Sequence, residues 1–148
     1  MRAVVQRVSA ARVTVGERTA GSIRRGLLAL VGIATCDTTA EADWVIDKLL
    51  DLRIFENEVG KFDKSLRDIR GELLLVSQFT LLADTRKGRR PSFTDAARPQ
   101  QAMPLYEHMI QRARTQGVTV ASGEFGAHMQ VELLNDGPVT IVLDTADR

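Results

Sequence analysis

Cysteine is almost missing from this 148-residue chain, and Cys36 is the only one. A lone thiol forms no internal disulfide and no cysteine-rich zinc site, and it suits a reducing cytosol. Free cysteine usually packs as a small hydrophobe, so Cys36 is expected to be structural. Histidine is nearly as scarce. His108 and His128 lack the His-x-x-x-His spacing of a zinc site, and isolated histidines read as structural. Neither sign of charge dominates, with 20 Lys and Arg against 19 Asp and Glu, so the net charge of +1 names no partner. Long apolar runs are also lacking. The longest, from Leu27 to Ala34, is far short of the roughly 20 residues that cross a bilayer. Met1 to Arg7 meets polar residues after three apolar ones and holds no apolar core for a signal peptide. A cytoplasmic protein with no membrane association is expected. No Gly-x-x-x-x-Gly-Lys, Gly-x-Gly-x-x-Gly or Gly-x-Ser-x-Gly occurs, which disfavours P-loop, dinucleotide-binding and α/β-hydrolase chemistry.

What is present is the composition of a globular protein, 44% hydrophobic and 26% charged, in a length that fits one domain over residues 1–148. Val13-Thr14-Val15 and Arg18-Thr19-Ala20 read as strands about a tight turn at Gly16-Glu17. Leu27 to Ala34 reads as a fully buried strand. Thr38 and Glu41 have capping-box spacing, and Ala42, Val45, Ile46, Leu49 and Leu50 follow on one helical face. The polar stretch 56–70 reads as loop with at most a turn of helix. Glu72 to Phe79 reads as a second buried strand and 83–100 as a long loop, long enough to suggest function. A second helix is expected over about 100–116, with Ala102, Leu105, Tyr106, Met109 and Ala113 inward and Gly117 at its end. Met129 to Leu133 and Val139 to Leu143 complete the strands. The fold class is α/β, a single domain with mixed, largely antiparallel β-sheet layers covered by two amphipathic helices.

Three segments carry chemistry. Ser77-Gln78-Phe79-Thr80-Leu81 ends an apolar run with two hydroxyls, an amide and an aromatic. Backbone N–H groups leaving a strand there can stabilise an oxyanion, as acyl transfer or ester hydrolysis requires, but no base accompanies them. The competing reading is a strand end whose hydroxyls satisfy local backbone groups. Asn135-Asp136-Gly137-Pro138-Val139-Thr140 reads as a hairpin turn, since Asp-Gly between strands is a turn signal; a cis peptide presenting main-chain atoms to a ligand is the alternative. Arg86, Lys87, Arg89, Arg90 and Arg98 form a basic cluster with Phe93 among them. It is either a phosphate-binding patch with an aromatic for stacking, or a solvated loop.

Taken in order, Val5-Gln6-Arg7-Val8, Ser-Gln-Phe-Thr-Leu at 77–81, Arg90-Pro91-Ser92-Phe93 and Asn-Asp-Gly-Pro-Val-Thr at 135–140 resemble the D-aminoacyl-tRNA deacylases nearly end to end. The resemblance implies a homodimer that hydrolyses the ester between a D-amino acid and the 3′ end of tRNA, without cofactor or metal. It implies that Ser77, Gln78, Phe79 and Thr80 line the catalytic pocket. It further implies that Gly137 and Pro138, joined by a cis peptide, enter the partner's pocket as a chiral filter. Glycine has no side chain for such a filter to reject, so glycyl-tRNA is an expected second substrate. Arg7 is expected to brace the Gly-Pro segment, Phe125 and Met129 to hold the terminal adenine, and Arg86, Lys87, Arg89 and Arg90 to meet tRNA. The attacking water would be activated by the substrate's own 2′-hydroxyl, with a Thr80 nucleophile as the rival. A non-catalytic RNA-binding dimer and a small-molecule esterase are the competing classes.

Overall fold

The computed structural model describes residues 1–148. Strand β1 (Arg2–Val15) turns at Gly16-Glu17 into β2 (Arg18–Ile23), which leads to β3 (Gly26–Gly32). Helix α1 (Thr39–Asp51) follows, then a two-stranded ribbon of β4 (Phe55–Glu56) and β5 (Phe62–Lys64), and β6 (Glu72–Ser77). A 3-10 turn at Phe79–Leu82 precedes helix α2 (Pro99–Thr115), and β7 (Thr119–Ser122) and β8 (Gln130–Asp144) close the chain. The main sheet runs β2-β1-β3-β6-β7, with β8 also pairing with β1. The β3–β6 and β6–β7 pairs are parallel, and β1 is antiparallel to β2, β3 and β8. The sheet is therefore mixed and largely antiparallel, and β2 also lies against β6 and β7, so it curls toward a barrel.

The helices form where the sequence periodicity puts them. Thr38 caps α1 through a complete capping box with Glu41, and Ala42, Val45, Ile46, Leu49 and Leu50 are fully buried. Each such Val, Leu or Ile contributes about 1.5–3 kcal/mol by leaving water. α2 starts at Pro99, where a missing N–H costs nothing. It buries Ala102, Leu105, Tyr106, Met109, Ile110 and Ala113 against the same sheet face. A second apolar cluster, Val8, Ala11, Val13, Ile23, Leu28, Leu74 and Val76, fills the concave side of the curl.

Two expectations fail here. The stretch 56–70 is not plain loop: Phe55 pairs with Lys64 and Glu56 with Phe62, around a turn whose N–H groups at Val59 and Lys61 donate to the Asn57 side-chain oxygen. Nor does Cys36 pack inward; it is exposed. The buried place in that connection belongs to Asp37, whose carboxylate accepts from the Met1 ammonium at 2.7 Å and the Ala34 N–H at 2.6 Å. Strand β7, with Val120 buried, adds to the strands expected from periodicity.

Candidate active site

The first motif lies where β6 stops. Ser77 is the last residue of the strand, opposite Val31 of β3, and the Gln78 N–H still donates to the Val31 carbonyl at 2.7 Å. The chain then winds into the 3-10 turn that starts at Phe79. The first N–H groups of any helical turn have no acceptor within it, and Gln78 supplies no side-chain cap. The Phe79 and Thr80 amides thus open the turn side by side. Gly32 permits this approach: a Cβ there would lie 2.3 Å from Leu82 Cδ2 and 3.0 Å from the Gln78 carbonyl oxygen. Arg2 holds the far end of the turn, donating from Nη1 to the Leu81 carbonyl at 2.9 Å.

No carboxylate or histidine bonds to this segment. Thr80 Oγ1 accepts from the Gln78 amide, and His108 instead faces Asp43 at 2.7 Å between the two helices. Phe79 is 56% exposed and meets Phe93 edge-on, with ring centroids 5.1 Å apart. Beneath the site, the Leu75 carbonyl accepts from the Gly123 N–H at 2.9 Å and the Tyr106 hydroxyl at 2.7 Å. Burial pushes the Tyr106 phenol up to about 12, so it stays protonated as a brace. Phe125 lies against the Tyr106 ring at 5.9 Å on the helix side. Met129 packs in the second cluster, its sulfur crowding Gly123. The two therefore flank the end of β6 from different apolar clusters.

The second motif is not the hairpin turn suggested by Asp136-Gly137. Residues on both sides of it pair with β1 in one direction, Asn135 opposite Val8 and Thr140 opposite Gln6. Asp136 to Val139 form a four-residue excursion facing Arg7 alone, a large bulge in one continuous strand. The Gly137-Pro138 peptide is cis. Gly137 sits at φ +146, and a Cβ there would come within 2.7 Å of Val139 Cγ2. Arg7, almost fully buried, donates from Nε to the Asp136 carbonyl and from Nη1 to the Ile54 carbonyl, both at 2.8 Å. Its guanidinium also lies 5.5 Å from the Phe62 ring centroid.

Within one chain the two motifs stay apart. Arg7 aligns with Leu27 and Leu27 with Leu73, so the bulge lies three strands across and four residues along from Ser77, roughly 20 Å measured along the sheet at ordinary strand spacings. The basic residues are uneven. Arg86 is held by Asp84 through two bonds of 2.9 and 2.7 Å, which lowers the Asp84 carboxyl well below its usual range. Lys87, Arg89 and Arg90 are exposed. The loop is pinched at its base by paired bonds between Asp84 and Ser92.

The family model described as D-Tyr-tRNA(Tyr) deacylase matches residues 4–144. The chain belongs to this family. A D-aminoacyl-tRNA deacylase of Clostridioides difficile (strain 630) is 59% identical over 146 residues, covering 99% of this chain and 98% of that relative. One from Thermotoga petrophila is 55% identical with the same coverage. Among solved structures, a chain described as "c-Myc DNA Unwinding Element Binding Protein" superposes with a TM-score of 0.91 at 44% identity, over 98% of this chain and 99% of that one. A probable eukaryotic D-amino acid tRNA deacylase gives 0.85 at 18% identity, over 96% and 97%, and shares the fold. No helix of this family member is long and apolar enough to cross a membrane.

Proposed function

We propose that this chain hydrolyses the ester joining a D-amino acid, or glycine, to the 3′-terminal adenosine of tRNA, as a cytoplasmic homodimer. The observation that carries the reading is the match to D-aminoacyl-tRNA deacylases over nearly the whole chain. Water adds to the ester carbonyl carbon, the bond to the 3′-oxygen breaks, and the proton passes to that oxygen. The substrate's 2′-hydroxyl orients and activates the water. The Phe79 and Thr80 N–H groups receive the charge that develops on the carbonyl oxygen, where preorganised donors do most for catalysis. Ser77 and Gln78 complete that wall, and Phe125 and Met129 hold the terminal adenine.

Enantiomers carry the same groups, so selection between them needs a rigid wall on one side. Gly137 and Pro138 supply it, with Arg7 bracing them through Asp136. They lie three strands across the sheet from Ser77 in their own subunit, which supports their serving the pocket of a second copy. Lys87, Arg89 and Arg90, with a smaller part for Arg86, meet tRNA phosphates.

A second reading, a non-catalytic nucleic-acid-binding dimer, draws on the solved neighbour described as a DNA unwinding element binding protein and on the exposed basic loop. Pure protein incubated with D-aminoacyl-tRNA separates the two. Release of the free amino acid supports hydrolysis; binding without release supports the second reading. Turnover of simple esters without RNA would point to a small-molecule esterase instead.

A further inference from the structure

The excursion from Asp136 to Val139 has no ladder of its own, since it faces a single residue of β1. Four residues released from a strand would ordinarily be mobile. Two anchors hold them. Arg7 grips the outward limb at the Asp136 carbonyl. The return limb is held by Asn135, whose side-chain oxygen accepts the Val139 N–H at 2.7 Å while its nitrogen donates to the Val139 carbonyl at 3.3 Å and to Thr140 Oγ1 at 3.1 Å. One amide side chain thereby takes the place of the strand partner that Val139 lacks, using both its acceptor and its donors. Thr140 Oγ1 is in turn 3.5 Å from the Gln6 amide, which ties the clamp to β1.

We infer that Asn135 is a positioning residue for substrate selection, fixing the Gly137-Pro138 segment by clamping Val139. It touches the segment's base and acts through it on whatever the segment meets. The inference rests on the reading of Gly137-Pro138 as the chiral filter. Asn135 is partly exposed at a strand surface, so its replacement need not unfold the protein.

The experiment compares initial rates on matched D- and L-aminoacyl-tRNA for wild type, Asn135→Ala and Asn135→Asp, with melting temperature recorded for each. Loss of the clamp's hydrogen bonds in Asn135→Ala should lower the D-to-L rate ratio by about 10-fold, the scale of a few side-chain bonds. Asn135→Asp keeps the acceptor for the Val139 N–H and loses both donors, so an intermediate ratio is expected. A folded Asn135→Ala protein with the wild-type ratio overturns the inference, as does a uniform loss of rate on both substrates. If Asn135→Ala does not fold, a wild-type ratio in Asn135→Asp overturns it. A wild-type protein that shows no D preference would instead remove the filter reading on which the inference stands.

Discussion

Val142 stands directly opposite Val4 across the β1–β8 ladder, on the sheet face turned away from the two helices. Val4 in turn faces Leu30, and Leu30 faces Val76, so one apolar row crosses four strands. Val76, at the inner end, is 1% exposed, whereas Val142 at the outer end is 64% exposed, and Leu134 further along β8 is 65% exposed. β8 pairs only with β1, leaving its other edge open. An open edge strand bearing uncovered aliphatic side chains is a surface that proteins normally cover.

A second copy is the expected cover. Val142→Lys should leave the far-UV circular dichroism nearly unchanged, because the side chain is exposed in the single chain, yet convert the protein to monomer and lower its melting temperature by the stabilisation that association gave. Light scattering at micromolar concentration checks the mass, and deacylation should fall with dimer content. A fully active monomer would contradict the shared-site account.

Thr80 tests how the reaction proceeds. Its hydroxyl is engaged by Gln78 and has no base beside it, so its expected contribution is the backbone N–H. Thr80→Ala should retain most of the D-aminoacyl-tRNA deacylase activity in steady-state assays. A loss of about 10³-fold or more would indicate a nucleophilic hydroxyl.

The basic loop predicts a salt effect. Replacing Lys87, Arg89 and Arg90 with Ala should weaken tRNA binding and flatten the slope of log affinity against log salt by about 2–3, near one unit for each phosphate no longer neutralised. Arg86→Ala alone should do less, since Asp84 already holds that guanidinium. Filter binding across a salt series measures both. An unchanged slope in the triple variant would remove the loop from the interface.

Acid stability should depend on the α1 cap. Glu41 is lowered from 4.5 to about 2, first by the Thr38 hydroxyl and then by the Thr38 backbone N–H. A depressed folded value favours the ionised form in the native state. The contribution is therefore complete above pH 4.5 and is lost as pH falls toward 2. Glu41→Gln should flatten that part of the melting curve against pH. Thr38→Ala should cost about 1 kcal/mol at neutral pH as well, the usual effect of a lost N-cap.

Much of this architecture is legible in residue spacing. Both helices follow from apolar periodicity, because each packs one face on the larger core. Strands β3 and β6 follow from their apolar runs, because each turns one face to either apolar cluster. The β4–β5 ribbon does not, since its pairing depends on Asn57 organising a polar turn rather than on alternating hydrophobics. Cys36 defies its usual tendency to burial because Asp37 takes the inward position to meet Met1 and Ala34. Around Pro138 the local signal is a chain break, but a break does not say whether the chain reverses. Only the shared pairing of Asn135 and Thr140 with β1 makes it a bulge. The separation of Ser77 from Gly137 is equally hidden, because it follows only from the register of the strands between them.

The most direct measurement is a crystal structure of the dimer bound to a non-hydrolysable D-aminoacyl-adenosine amide. The expected result is the ligand carbonyl oxygen at the Phe79 and Thr80 N–H groups of one protomer, with the partner subunit's Pro138 and the partner subunit's Gly137 against the substituents of the ligand's α-carbon. A ligand seated against residues of a single chain, with both Gly137-Pro138 segments remote from it, would contradict the account.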